Sequence, residues 1–401
     1  MDILFVTYLK KYLFRYLIGY IFLLFSFGSI IIKTRLKIER VALMIKAFAI
    51  DLGNGQVKAR SDKRTLVAPS ILATEKALGV GSLSDFETDH DYNVYESKLN
   101  IGKRYIWGTD IKEKVSHSDL IPTYTHHKRY DSVNYKLLFE FALAELASDC
   151  NRKHIEVVLV ASLPSDEVRT EADDSLKTFL KGTHVVTRNG KEHVIEVIDV
   201  TINEQPLGTL LSENMNEKNQ INKNVQTKTY TIFDFGAGTT IVDTYRALKR
   251  IPELSTVIRT GQNDIYKQIA TSLKNQTNIS DIHYSHIEDG FRREDHTARI
   301  SDRVHPGFGH LINDPIEAFC EDIITKTNTV IANRDIIDGF YLTGGGANIV
   351  GDAFKEALQE HDATVEAEEP QLANLNGHYK LAVLKRDHLL ALRKETAATK
   401  E

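Results

Sequence analysis

The sequence predicts a mixed α/β protein made of two similar halves. Three observations predict it. Strand-like runs of β-branched and aromatic residues alternate with helix-periodic segments from Met44 onward. The 401 residues exceed one typical core. An Asp at a strand's end, followed by Gly, any residue and Gly, occurs twice, 183 residues apart. Composition agrees: 42% hydrophobic and 26% charged, with a formal net charge of −5, is that of an ordinary globular chain and excludes disorder, collagen-like repeats and multi-span membrane architecture. The two cysteines, Cys150 and Cys320, lie in apolar-periodic stretches, which argues for a reducing compartment and a core-filling role rather than a disulfide framework.

The first 43 residues stand apart. Residues 16–32 carry no charge and are flanked by Lys10, Lys11 and Arg15 on one side and Lys33, Arg35, Lys37 and Arg40 on the other. Seventeen such residues just reach the length of a membrane helix. Two readings stay open: a membrane anchor that keeps the long C-terminal part cytoplasmic, or translation that begins at Met44. Without this segment the chain is acidic, with 43 basic and 53 acidic residues, so direct binding of nucleic acid through its phosphates is not expected.

Beyond Met44, strands are expected at residues 47–52, 155–161, 230–234 and 339–343. Helices are expected at residues 315–328, where Ile316, Phe319, Cys320, Ile323 and Ile324 share a stripe, and at 135–148, with Leu138, Phe141, Ala142 and Leu146 on one face. Residues 75–130 are rich in His, Asp, Lys and Ser and read as an elaboration on the rim of the first domain. Residues 212–228 are nearly all polar and read as a solvated loop or helix at a domain junction.

The repeated motif reads IDLGNGQVK at residues 50–58 and FDFGAGTTI at residues 233–241. Glycines at those offsets let backbone N–H groups approach a ligand closely, so Gly53, Asn54 and Gly55 in one copy, and Gly236, Gly238, Thr239 and Thr240 in the other, can wrap phosphate oxygens. Asp51 and Asp234 would repel bare phosphate. Their natural task is to hold a hydrated Mg²⁺ that bridges the phosphates. Either copy alone could be an ordinary hairpin; a matched pair favours a nucleotide clamp. A third cluster, Gly344, Gly345, Gly346 and Ala347, follows the strand at 339–343 and offers a Cβ-free surface for a ribose or purine, with a helix expected from about Gly351. Neither Gly-x-x-x-x-Gly-Lys-Ser/Thr nor Gly-x-Gly-x-x-Gly occurs, which removes the P-loop and Rossmann alternatives.

Two phosphate hairpins followed by a glycine cluster, in this order, resemble the actin, heat-shock chaperone and sugar kinase ATPase superfamily, and within it the plasmid-segregation actins of the ParM/StbA type. VASLPSDE at residues 160–167 resembles the strand-and-proline segment of that family, and LANLNGHYK at residues 372–380 its C-terminal helix. The resemblance covers residues 44 to about 387. It implies a two-domain actin-like ATPase fold of duplicated mixed-sheet domains around a nucleotide cleft. The first domain would span residues 44–207 with the rim insert at about 75–130, the second residues 208–365, with residues 366–395 returning to the first and 396–401 a tail. It implies that Lys58 stands on the nucleotide phosphates and that ATP, or GTP, binds with Mg²⁺.

Hydrolysis in this superfamily needs a residue that orients water in line with the γ-phosphate, and comparison with the family places it at Glu204 or Gln205. Spacing from Pro206 favours Gln205; carboxylate chemistry favours Glu204, which is preferred here. Both could instead simply cap the helix that starts at Pro206. The resemblance further implies head-to-tail filaments of this chain and plasmid DNA as cargo, attached through a DNA-binding adaptor. A small-molecule kinase of the same superfamily and a membrane-tethered cytoskeletal or division protein, if residues 16–32 insert, are the alternatives. The pairs His126–His127 and His283-x-x-His286 read as solvated surface residues, as does the charged run Arg292 to Asp295.

Overall fold

The computed structural model describes residues 45–78, 92–123, 129–360 and 363–399. Residues 47–386 form one compact unit, and residues from Asp387 onward belong to a second, smaller one. The apolar stretch at 16–32 and the His126–His127 pair lie outside the described residues. Among the described residues no helix is long and apolar enough to cross a membrane.

Residues 45–204 supply ten strands among those described: β1 (Ile45–Leu52), β2 (Gln56–Arg60), β3 (Thr65–Pro69), β4 (Ile71–Thr74), β5 (Tyr92–Ser97), β6 (Arg104–Gly108), β7 (Ile121–Pro122), β8 (His154–Leu163), β9 (Gly182–Arg188) and β10 (Lys191–Glu204). They form one sheet in the order β3-β2-β1-β8-β10-β9-β5-β6-β4-β7. A second sheet holds β11 (Thr229–Phe235), β12 (Thr240–Arg246), β13 (Lys249–Arg250), β15 (Gly339–Thr343) and β16 (Thr364–Glu366) in the order β13-β12-β11-β15-β16, with β14 (Thr256–Ile258) paired to β12. The halves share a plan. An antiparallel hairpin, β1–β2 or β11–β12, lies beside β8 or β15, and two parallel pairs follow the same logic, β8 with β10 and β15 with β16. The duplication legible in two nine-residue motifs thus extends to five strands on each side.

The rim segment does more than decorate. Its strands β5 and β6 pair with each other, and β5 pairs with β9, so they lengthen the first sheet. This curl changes the expected burial of the helix Val133–Ser148. Leu137, Phe139 and Leu143 are buried along with Leu138, Phe141 and Leu146, and so are Glu140 and Glu145, so the helix is covered on all sides rather than on one face. In the second half, every residue of β11 is buried; Phe233 and Phe235 pack against Phe354 with tilted and edge-to-face rings, at 4.8 and 5.0 Å between ring centroids. Fully burying such side chains contributes about 2 kcal/mol each. The helix Asn313–Asn328 turns Ile316, Phe319, Cys320 and Ile323 into this core, on the expected stripe.

Two helices connect the sheets. The linker helix Gln205–Asn214 begins where β10 ends, with Pro206 in its first turn, where a missing N–H costs nothing. Part of the polar segment after it is buried after all: Asn214, Met215 and Val225 are covered. The C-terminal helix Ala373–Ala398 crosses the linker helix at Gly208 and Gly377, where a Cβ on Gly377 would lie 1.8 Å from the Gly208 carbonyl oxygen. Lys380 donates to the carbonyls of Ser212 and Met215 at 2.7 and 2.8 Å, satisfying acceptors at the linker helix's end. Ser165, on the loop after β8, donates to Asp243, which is fully buried on β12 and ion-paired to Arg250 at 2.7 Å.

Candidate functional site: two acidic hairpins

Both glycine motifs fold as the tight hairpins their spacing predicts, and they close in the same way. The Gly53 amide donates to the Gln56 carbonyl at 3.0 Å, and the Gly236 amide to the Thr239 carbonyl at 2.8 Å. The turn carbonyls are held from outside. Ser70 donates to Gly53 through its hydroxyl and to Gly55 through its amide, while the amides of Gln262 and Asn263 donate to Gly236 and Ala237. With the carbonyls fixed, the peptide planes of the turns are fixed too, the arrangement an anion-binding concavity requires. The hairpin tips approach each other: a Cβ on Gly55 would lie 3.2 Å from the Cβ of Ala237.

Asp51 and Asp234 sit at the roots of these turns, 4% and 7% exposed. Ser162 and the side-chain amide of Gln205 both donate to Asp51 Oδ1, at 2.8 and 2.7 Å. Asn374 donates to Asp234 Oδ2 at 2.8 Å. Burial raises the Asp234 carboxyl to about 6; Lys58 opposes that rise and the charge of Asp51 adds to it, so the three groups act on one another. Lys58 stands opposite Asp51 in the β1–β2 register. His378, buried on the C-terminal helix, is pushed down to about 4 by that burial, against the pull of Asp51.

The donor set fits a hydrated Mg²⁺. It consists of hard oxygens on two carboxylates, and among the described residues no three His, Cys, Asp or Glu side chains gather to hold a metal by themselves. A small cation that keeps most of its waters and completes its shell with phosphate oxygens suits such a pair. His283 and His286, the other histidines of interest, are partners in an N-terminal helix cap: the His283 amide donates to His286 Nδ1 at 3.1 Å.

Glu204 and Gln205, adjacent in sequence, point to different places. Gln205 faces Asp51, whereas Glu204 is buried and pairs with Arg169 at 3.4 Å. The strand-to-helix junction between them turns the two side chains apart.

The third glycine cluster divides its labour. Gly344 has φ +86°, and a Cβ there would lie 2.4 Å from Asp234 Oδ1; a Cβ on Gly346 would lie 2.8 Å from that of Phe235. These two glycines are required by the close approach of the second hairpin. Gly345 has room, its nearest neighbour being the Gln262 side chain. The helix that follows starts at Ala347 rather than near Gly351, because Gly346 donates to the Phe235 carbonyl and the chain turns helical immediately.

Several residues of this region were not apparent from sequence: Ser162, Thr209, Gln262, Thr343 and Asn374. The single Thr209 hydroxyl proton is shared between Thr343 Oγ1 and Asn374 Oδ1, at 2.9 and 2.8 Å, and Thr343 donates to the Pro370 carbonyl at 3.0 Å. One signal was available for Gln262. Gly261 and Asp264 form a capping pair, Gly261 N–H to Asp264 Oδ2 at 3.0 Å, that announces the helix Gln262–Thr277 whose first amides hold the second hairpin.

Comparison with known proteins agrees with this geometry. Residues 49–208 match the family of actin like proteins, N terminal domain, and residues 232–356 match the archaeal actin homologue MreB-like C-terminal family. No curated protein matches. Among solved structures, apo pSK41 ParM is 27% identical with a TM-score of 0.70, over 86% of this chain and 99% of that one. The archaeal actin homologue Ta0583 in complex with ADP is 17% identical with a TM-score of 0.66, over 84% and 99%. The Alp12 filament structure is 16% identical with a TM-score of 0.61, over 85% and 99%. Duplicated mixed sheets, paired acidic hairpins and these matches together give the chain an actin-like N-terminal domain and an actin-like C-terminal domain in the two-domain actin-like fold.

Proposed function

We propose that this chain is an ATP hydrolase that assembles into nucleotide-dependent filaments and segregates plasmid DNA. The carrying observation is the approach of two like hairpins, Gly55 to Ala237, with Asp51, Asp234 and Lys58 interacting at their roots. Such a pair suits one phosphate chain gripped from both halves, residues 44–207 and 208–365. Asp51 and Asp234 would hold Mg²⁺ through water, which neutralises phosphate charge when bound. Gly53, Asn54, Gly55, Gly236, Gly238 and Thr239 would line the phosphates and Gly345 the nucleoside side, with Thr240, its hydroxyl on the Thr260 carbonyl, and Ala347 buried behind them. Gln205, beside Asp51, is better placed than Glu204 to orient the attacking water.

The likeness to an ADP-bound actin homologue supports nucleotide binding, and the likeness to ParM and to a filament-forming Alp12 supports self-assembly. Head-to-tail contacts are heterologous and propagate instead of closing. The acidic balance of the chain favours a separate DNA-binding adaptor over direct contact with DNA. Buried free thiols suit a cytoplasmic setting.

Light scattering of the full chain with Mg²⁺ and ATP, with GTP in parallel, tests the reading. A rise that decays as the nucleotide is consumed supports it. A flat trace, with nucleotide hydrolysed only when a small-molecule acceptor is supplied, would point to a kinase instead.

A further inference from the structure

Asp51 and Asp234 belong to different sheets, yet hydrogen bonds from each reach the linker helix, whose first turn joins them. Asp234 accepts from the Asn374 amide at 2.8 Å. The Asn374 carbonyl oxygen in turn accepts from Thr209, from its backbone N–H at 3.3 Å and its hydroxyl at 2.8 Å. Thr209 lies one helical turn after Gln205, whose amide donates to Asp51 at 2.7 Å. Only an acceptor can face the Thr209 N–H, so the Asn374 NH₂ group must face the Asp234 carboxylate. Asn374 is 4% exposed and Thr209 is fully buried, so neither hydrogen-bond set exchanges with water. The helix carrying Asn374 is itself fixed against the linker helix by the Gly208–Gly377 crossing.

We propose that Asn374 is a positioning residue that couples the two halves of the site: it holds the Asp234 carboxylate in the orientation that accepts a hydrated Mg²⁺ and, through Thr209, sets the turn of the linker helix that carries Gln205. This rests on the nucleotide-binding reading above. The coupling follows from geometry: a shift of Asp234 on cation binding must either break the Asn374 amide bond or drag Thr209 with it, and Thr209 and Gln205 share one helical turn.

The test is binding of a fluorescent non-hydrolysable ATP analogue to the full chain, with Mg²⁺ and with EDTA. Asn374→Leu keeps size but removes the donor facing Asp234 together with the acceptor towards Thr209. It should weaken Mg²⁺-dependent affinity by about tenfold or more while EDTA affinity changes little. Thr209→Val removes the hydroxyl links at constant volume and should weaken it in the same sense; Thr209→Ser should restore it. A purely structural role would lower both affinities together, which overturns the proposal. So would wild-type Mg²⁺-dependence in Asn374→Leu, or, if that variant does not fold, in Thr209→Val. Absence of nucleotide binding by the wild-type chain would instead remove the functional reading and the relay with it.

Discussion

The Gln205 side chain donates to Asp51 at 2.7 Å, while its neighbour Glu204 turns away to Arg169 at 3.4 Å. A water-orienting group must lie beside the phosphates, and with the nucleotide bound as proposed Gln205, on Asp51, is the one of the two that faces them. Gln205→Ala should therefore slow single-turnover phosphate release by about 10²-fold with little change in nucleotide affinity, since positioning supplies the rate. Glu204→Ala should hydrolyse within a few-fold of the wild type and lose no more than about 1 kcal/mol of stability, because its partner Arg169 is largely exposed to solvent. The opposite ranking in a stopped-flow phosphate assay would return the role to Glu204.

Asp234 carries its charge at a cost to the fold. Burial raises its pKa to about 6, above the 3.8 of an exposed aspartate, so between those values the folded chain binds a proton that the unfolded chain does not. Its ionised form consequently destabilises the protein above pH 6, by about 3 kcal/mol at most, and that cost disappears below about pH 4. Asp234→Asn should raise the nucleotide-free melting temperature at pH 8, with the gain shrinking as pH falls from 6 to 4, and should abolish Mg²⁺-dependent nucleotide binding. A variant no more stable than the wild type at pH 8 would contradict the assignment. Thermal unfolding across pH decides it.

What could be read from the sequence was local. Asp followed by Gly-x-Gly announces an acidic hairpin in nine residues, and Ile316, Phe319, Cys320 and Ile323 announce a buried helix stripe within two turns. The polar relay could not be read. Ser162, Thr209, Thr343 and Asn374 are unremarkable polar residues until folding brings them to partners 111 to 165 residues away. The choice between Glu204 and Gln205 was equally hidden, because it depends on where β10 stops and the helix begins, and element boundaries are set by tertiary contacts more than by propensity. The rim strands showed their polarity in the sequence but not that they would extend the first sheet, since strand pairing is a long-range property.

The cysteines give an independent check of the two cores. Cys150 packs in the first core and Cys320 in the second, and both thiols are free. Burial, reinforced by Glu317, pushes the Cys320 thiol up to about 12, so almost no thiolate exists at neutral pH. An aromatic disulfide reagent should label neither cysteine rapidly in the native chain and both after guanidinium denaturation. Fast native labelling of Cys320 would mean that the second core is open to solvent.

The crossing of the linker and C-terminal helices sets how closely the two halves can be joined. At Gly208 an added Cβ would lie 2.2 Å from the Asn374 carbonyl oxygen, and at Gly377 1.8 Å from that of Gly208. Both obstacles are backbone, so no rotamer change relieves them and the helices must separate. Gly208→Ala and Gly377→Ala should each destabilise by about 3 kcal/mol, at the upper end of overpacking. For a compact unit spanning residues 47–386 that lowers the melting temperature by roughly 4 °C. Gly238, at the tip of the second hairpin, has no atom within 4 Å of an added Cβ. Gly238→Ala should therefore melt as the wild type does, yet bind nucleotide more weakly, because the methyl group would occupy space offered to phosphate. If Gly377→Ala melts normally, the helices are not in contact as described; if Gly238→Ala binds nucleotide normally, the second hairpin does not touch the phosphates.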